Sequence, residues 1–273
     1  SVLDVNALYQ GLVRVDDAQT VVGSMQELLD VSGDTVASGV DLRDDVVFEF
    51  DDTQVGGSAV QAHELLMLND RTTGVVDATD ADTLMGLLSD VQAVLLADSI
   101  GSGTNRIDIV AASIDVVVTN MGSLRADSLN DLDAYFVGGT IEVLASTVAG
   151  SMLELLEASD DYAEDSSGDG PGAMVLKSNV VMALEGDSVR AVDLSTLSGR
   201  TTGVVDATAA NTIEGSVAQM VALAGDSVGA GNSNGVARQG NVTVDLVTAP
   251  SVAADSVLDV NALYQGLVRV DDA

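Results

Sequence analysis

Apolar positions along the chain follow two alternating rhythms. Between residues 82 and 96, Leu84, Leu87, Leu88, Val91, Val94 and Leu95 recur at helical spacing. That is the i, i+3, i+4, i+7 stripe of an amphipathic helix. The spacing predicts a helix over 82–96, with Asp82 or Thr83 as its N-cap. Just before it, Gly74-Val75-Val76-Asp77-Ala78-Thr79 is short, Val-rich and preceded by the turn-like Asn69-Asp70-Arg71. It reads as a strand. Beyond the helix lie a Gly/Ser/Asn turn at 99–105 and two β-like stretches, Ile107–Val110 and Ile114–Val118. Further β-like stretches occur at Asp45–Phe50, Met174–Leu176, Val180–Met182 and Val242–Val247. Several of them alternate apolar with polar, as a half-buried strand does.

The rhythm is periodic. Residues 1–18 and 256–273 both read SVLDVNALYQGLVRVDDA, an offset of 255. RTTGVVDAT occurs at Arg71–Thr79 and at Arg200–Thr208, an offset of 129. GSM followed by ELL occurs at Gly23–Leu29 and Gly150–Leu156, an offset of 127. T-x-x-G begins at Thr20, Thr83, Thr147 and Thr212, in steps of 63, 64 and 65. The chain therefore divides into repeats of about 64 residues: 1–64, 65–128, 129–192 and 193–255, with 256–273 opening the next 255-residue period. A repeat this small buries little by itself, and stacking copies creates a continuous core. The expected fold is a β-rich α/β repeat protein: an elongated solenoid of four such repeats, each with strands and one short helix. A Gly inside the predicted helix costs roughly 1 kcal/mol against Ala. Its recurrence implies a close approach by the neighbouring layer.

Composition narrows the function. Hydrophobic residues make up 47% of the 273 and aromatics only 3%, so the core is built from small aliphatic side chains. With no Cys and one His, cysteine metal clusters, disulfides and multi-histidine zinc sites are excluded. Lys and Arg total 10 against 43 Asp and Glu, a net charge of −33. Such a chain repels phosphate backbones, so nucleic acid is not an expected partner. No apolar run approaches the ~18–20 residues of a membrane span. Ser1-Val2-Leu3-Asp4 lacks the basic start of a signal peptide. An acidic, nearly Lys-free surface suits a salt-exposed extracellular setting, where charge is screened over ~8 Å or less, and it attracts divalent cations.

The TTGVVDAT stretch, followed by T-x-x-G and a Leu-rich segment, resembles a repeat of giant tandem-repeat surface proteins of cyanobacteria and related bacteria. Thr72–Val76 and Thr201–Val205 carry the resemblance, within 68–96 and 194–224. It implies a cell-surface location and a structural or adhesive role, with no shared catalytic residues. Many of those proteins carry haemolysin-type calcium repeats, but the GGxGxD nonapeptide does not occur here.

Candidate chemistry is sparse. Calcium is the one candidate cofactor, because hard cations want six to eight oxygens. The densest acidic stretch supplies Asp160, Asp161, Glu164, Asp165 and Asp169, and a second comprises Asp41, Asp44, Asp45, Glu49, Asp51 and Asp52. Neither has EF-hand spacing, and a solvated acidic loop is the plain alternative. His63 has no Cys or nucleophile pattern beside it, and no Gly-rich loop is followed by the Lys-Ser/Thr of a phosphate cradle. Met25 and Met152 sit at equivalent repeat positions and read as core. No carboxylate pair stands out for glycoside cleavage, so an enzyme is not expected. The expected role is a structural protein: a tandem-repeat segment stacking end to end into an extracellular filament, sheath or surface layer. The alternative is the spacer or stalk of a cell-surface adhesin with calcium association. Expected partners are further copies of the chain and divalent cations.

Overall fold

A computed structural model describes residues 13–15, 17–33, 40–51, 59–98, 106–109, 114–136, 139–164, 173–228, 235–248 and 252–272. They form an α/β fold of 20 strands and 8 helices, divided into two compact units. Unit 1 is Ser1–Thr119 with Tyr135–Glu142, and unit 2 is Asn120–Ala134 with Val143–Ala273.

In unit 1 the strands β1 (Val13–Val15) and β3 (Val40–Leu42) pair with each other. A second sheet holds β2 (Thr20–Gly23), β4 (Val47–Phe50), β6 (Val75–Asp77) and β8 (Arg106–Asp108) in that order. A third runs β5 (Ala59–Gln61), β7 (Thr83–Gly86), β9 (Asp115–Val118) and β11 (Thr140–Val143). In unit 2, β10 (Ser123–Arg125), β12 (Thr147–Gly150), β14 (Val181–Leu184), β16 (Val205–Ala207) and β18 (Val236–Arg238) form one sheet. The strands β15 (Ser188–Arg190), β17 (Thr212–Gly215), β19 (Thr243–Thr248) and β20 (Val268–Asp272) form another. β13 (Ala173–Leu176) lies between β12 and β14 in the chain. Strands pair in parallel with near-neighbours in sequence, so the chain lays down one layer after another.

The helices are α1 (Met25–Gly33), α2 (Ala62–Asn69), α3 (Leu88–Asp98), α4 (Ala126–Tyr135), α5 (Met152–Glu164), α6 (Ala191–Arg200), α7 (Val217–Gly225) and α8 (Ala254–Leu263). They come in pairs. In unit 2, α4 and α5 follow β10 and β12 of one sheet, whereas α6 and α7 follow β15 and β17 of the other. Parallel strands stack about 4.8 Å apart and a helix is about 10 Å wide. A long column of helices over one sheet would splay its strands. An added strand after each helix pair moves the next pair onto a fresh sheet.

Two expectations are corrected. T-x-x-G is the strand β2, β7, β12 or β17, and the helix starts after it: Thr83–Gly86 is extended and α3 begins at Leu88. Asp82 and Thr83 therefore stand at the start of a strand rather than at the start of the helix. Leu84 is buried from the strand and Val91, Val94 from the helix, while Leu87 between them is half exposed. A strand's alternation ran into a helix's stripe and imitated one longer helix. Second, each repeat carries two helices. The one missed starts at Ala62, Ala126, Ala191 and Ala254, in steps of 64, 65 and 63. The divisions at 64, 128, 192 and 255 fall inside α2, α4, α6 and α8.

Candidate functional site

The strongest recurring chemistry in the chain joins one layer to the next. RTTGVVDAT divides into three devices. Its Arg ties on to a helix of an earlier layer: Arg71 donates to the Leu29 carbonyl within α1 (2.8 Å) and Arg200 to the Leu156 carbonyl within α5 (2.8 Å). Each carbonyl also accepts a serine hydroxyl of its own helix, Ser32 at 3.1 Å and Ser159 at 3.0 Å, so the arginine adds a donor from a later layer. Tyr264 ties on to α7 in a similar way, its hydroxyl donating to the Met220 carbonyl (2.8 Å). That ring is buried beneath the Arg238 guanidinium, 4.1 Å from its centroid, and burial raises the phenol pKa.

The middle device is a clamp. The buried Thr72 hydroxyl lies 2.6 Å from the Val46 carbonyl and 3.1 Å from that of Asp44, and accepts from the Gly74 N–H at 2.8 Å. Gly74 and Gly203 follow so closely on the preceding layer that a Cβ at either would strike the carbonyl oxygen of Val46 or Val180. The last device is an Asx turn. Asp77 accepts from the Thr79 N–H and hydroxyl at 3.1 and 2.7 Å, and Asp206 from those of Thr208 at 3.0 and 2.6 Å.

The glycine of T-x-x-G meets an alanine. A Cβ on Gly86 would stand 2.9 Å from the Cβ of Ala62, one on Gly150 2.9 Å from Ala126, and one on Gly215 3.1 Å from Ala191. Each alanine opens the helix of the preceding layer, 24 residues back. The expected close approach is therefore side chain against strand. The residues after the glycine form capping boxes. Ser24, Ser151 and Ser216 exchange hydrogen bonds with Glu27, Glu154 and Gln219.

The metal candidates fare differently. Asp160, Asp161 and Glu164 stand in the last turns of α5, so the acidic stretch starts as helix rather than loop. Asp165 and Asp169 lie outside the described residues, as does Asp52. Arginines break up the second cluster: Asp41 faces Arg14 (3.4 Å) and Asp45 pairs with Arg43 (2.7 Å), whose hydrogen bond lowers the Asp45 pKa. Among the described residues, no group of three or more Asp, Glu or His is arranged to hold a metal ion. His63 is exposed in the first turn of α2. No helix among the described residues is long and apolar enough to cross a membrane.

One acidic array does emerge. Glu49, Asp77 and Asp108 stand directly opposite one another on β4, β6 and β8. Burial raises the Asp108 pKa, Arg106 at 2.8 Å opposes that, and Asp77 and Asp98 reinforce it. The folded chain therefore holds this proton to higher pH than the unfolded chain does. The resulting penalty is absent below the unfolded carboxylate range and complete above the folded pKa. Asp77→Asn removes the middle charge and keeps an oxygen for Thr79. It is expected to stabilise unit 1 at neutral pH by about 0.2–1 kcal/mol, the scale of a like-charge cross-strand pair, and the gain should vanish below about pH 4. Asp206→Asn is the control, because Asp206 opposes Ala183 and Ala237. Thermal melts across pH check both.

Compared with protein-family models, characterised proteins and solved structures, the chain matches none.

Proposed function

We propose that this chain is a structural protein, a tandem-repeat segment that stacks end to end into an extracellular filament, sheath or surface layer. In this reading its four ~64-residue repeats form an elongated solenoid, and its role is mechanical rather than catalytic. The observation that carries it is the repeated seat of a strand glycine on the first alanine of the preceding helix, at Gly86, Gly150 and Gly215. A contact reused at fixed spacing makes layers interchangeable, and an interchangeable layer accepts another at an open end. The charge of −33 supports the salt-exposed setting by keeping assemblies apart sideways. The facing carboxylates of Glu49, Asp77 and Asp108 favour a second reading, a cell-surface stalk that associates calcium or other divalent cations diffusely.

Sedimentation velocity in physiological salt, from about 1 μM upward, with electron microscopy of the same samples, tests the proposal; salt must screen charges beyond ~8 Å. Filaments that lengthen with concentration are expected. A monomer at every concentration would remove assembly by contact and leave the stalk.

A further inference from the structure

We infer that the eighteen-residue segment present twice is an exchangeable joint: β20 of one copy takes the place of β1 beside β3 of a second copy of this chain. The inference rests on the end-to-end reading and names its contact. Val13–Val15 and Val268–Val270 are the same sequence, and they pair in opposite directions along the chain. β1 pairs with the strand that follows, Val13 opposite Val40 and Arg14 opposite Asp41. β20 pairs with the strand that precedes, Val244 opposite Val268 and Asp245 opposite Arg269. Each edge of the one strand is thus matched once. A shared strand would carry β19 on one edge and β3 on the other, as β4 carries β2 and β6.

The charges agree with that register. Arg14 Nε lies 3.4 Å from Asp41, and Arg269 Nε lies 3.5 Å from Asp245. In the joint, Arg269 stands between its own Asp245 and the second copy's Asp41, one cation between two carboxylates.

Burial points the same way. The first, fourth and seventh residues are buried in α4 (Ala126, Leu129, Leu132) and in α6 (Ala191, Leu194, Leu197). In α8 those positions are Ala254, Val257 and Val260, and only Val260 is buried. Val270 is 44% exposed where its counterpart Ala207 is 0% exposed. Leu258 and Leu267 are 67% and 63% exposed. The glycine seat supplies the covering layer. Ala62, Ala126 and Ala191 each receive a glycine from 24 residues further on. Counted through the 255-residue period, the glycine for Ala254 is Gly23 of the second copy. At Gly23, the atoms nearest an added Cβ among the described residues belong to the side chains of Glu27 and Leu28. Because the two segments are identical, replacing β1 by β20 keeps every β1–β3 contact and adds the burial of α8 beneath β2 and α1 of the second copy.

The absence of native cysteine makes the register directly readable. Paired strands bring Cα atoms to about 4.8 Å, within disulfide reach. The double variant Arg269→Cys/Asp41→Cys is oxidised at assembling concentration and run on a non-reducing gel. A ladder beyond the dimer is expected, because each molecule then carries one cysteine at each end of the joint. Each single variant stops at the dimer. Arg269→Cys/Arg43→Cys, displaced by two residues, should give at least tenfold less ladder. A tenfold excess of a peptide of residues 256–273 should cut the ladder at least fivefold by filling the slot beside β3. Circular dichroism of the single variants checks that they fold. Filaments without the Asp41 ladder would overturn this joint and leave end-to-end stacking intact. Neither filaments nor ladder would overturn both. A ladder indifferent to the peptide would overturn strand exchange.

Discussion

Gly203→Ala is expected to destabilise unit 2 by roughly 3 kcal/mol or more, among the larger effects of a point change, while Gly199→Ala, four residues earlier, stabilises it. The added methyl at 203 would strike the Val180 carbonyl oxygen, with the backbone of Asn179 close behind. Both are main chain of the preceding layer, so no rotamer change relieves the clash. The layers would have to separate, forfeiting the burial of Val205 and Ala207. Gly199 lies near the end of α6, exposed, with nothing within 4 Å of its Cβ position. There the methyl only narrows the unfolded ensemble, a gain of about 0.5–1 kcal/mol. Urea unfolding followed by circular dichroism measures both. Equal and small effects would mean that layer spacing is loose.

Thr72→Val should cost unit 1 about 2 kcal/mol, as expected when buried polar groups lose a partner. Valine keeps the shape and removes the hydroxyl. The Gly74 N–H, 2.8 Å from that oxygen, loses its acceptor, and the Val46 carbonyl loses a donor at 2.6 Å. Both lie at the junction between two layers, where water has little access. The equivalent Thr201→Val should cost less, because Thr201 reaches the Val180 carbonyl at 3.4 Å and is less buried. Denaturation midpoints of the two variants give the order directly. A Thr201 variant as damaging as the Thr72 variant would contradict the clamp.

The α/β character was legible where apolar side chains had one neighbour to satisfy. Ile114–Val118, Met174–Leu176 and Val242–Val247 read as strands and lie in or against β9, β13 and β19. Periodicity failed where two elements abut without a turn. Leu84 belongs to β7 and Leu88 to α3, with one residue between the elements, so their apolar positions fell onto a single helical stripe. The helices beginning at Ala62, Ala126 and Ala191 were hidden for a related reason. Each starts directly after a three-residue strand, and its opening residue is an alanine chosen for the glycine that will sit on it. Nothing local signals that contact; the 24-residue spacing between alanine and T-x-x-G glycine does, once both are aligned across repeats. The layer devices were visible only as a recurring RTTGVVDAT. The Arg acts on a helix 42 or 44 residues back, so its role could not be read from its own surroundings. For calcium, composition suggested oxygen ligands, but the arginines interleaved at Arg14 and Arg43 answer much of the second acidic cluster.

Everything turns on whether the layer formed by α8 and β20 is an ordinary layer waiting for its cover. Amide hydrogen exchange, read by mass spectrometry for 254–270 and for its counterpart 191–207, compares the two in one molecule. In dilute protein the outer layer should exchange on the order of 100-fold faster, as a layer that opens without global unfolding does. At assembling concentration its protection should rise to match 191–207. Protection already equal in dilute solution, and unchanged on concentration, would contradict the completion of one copy by the next.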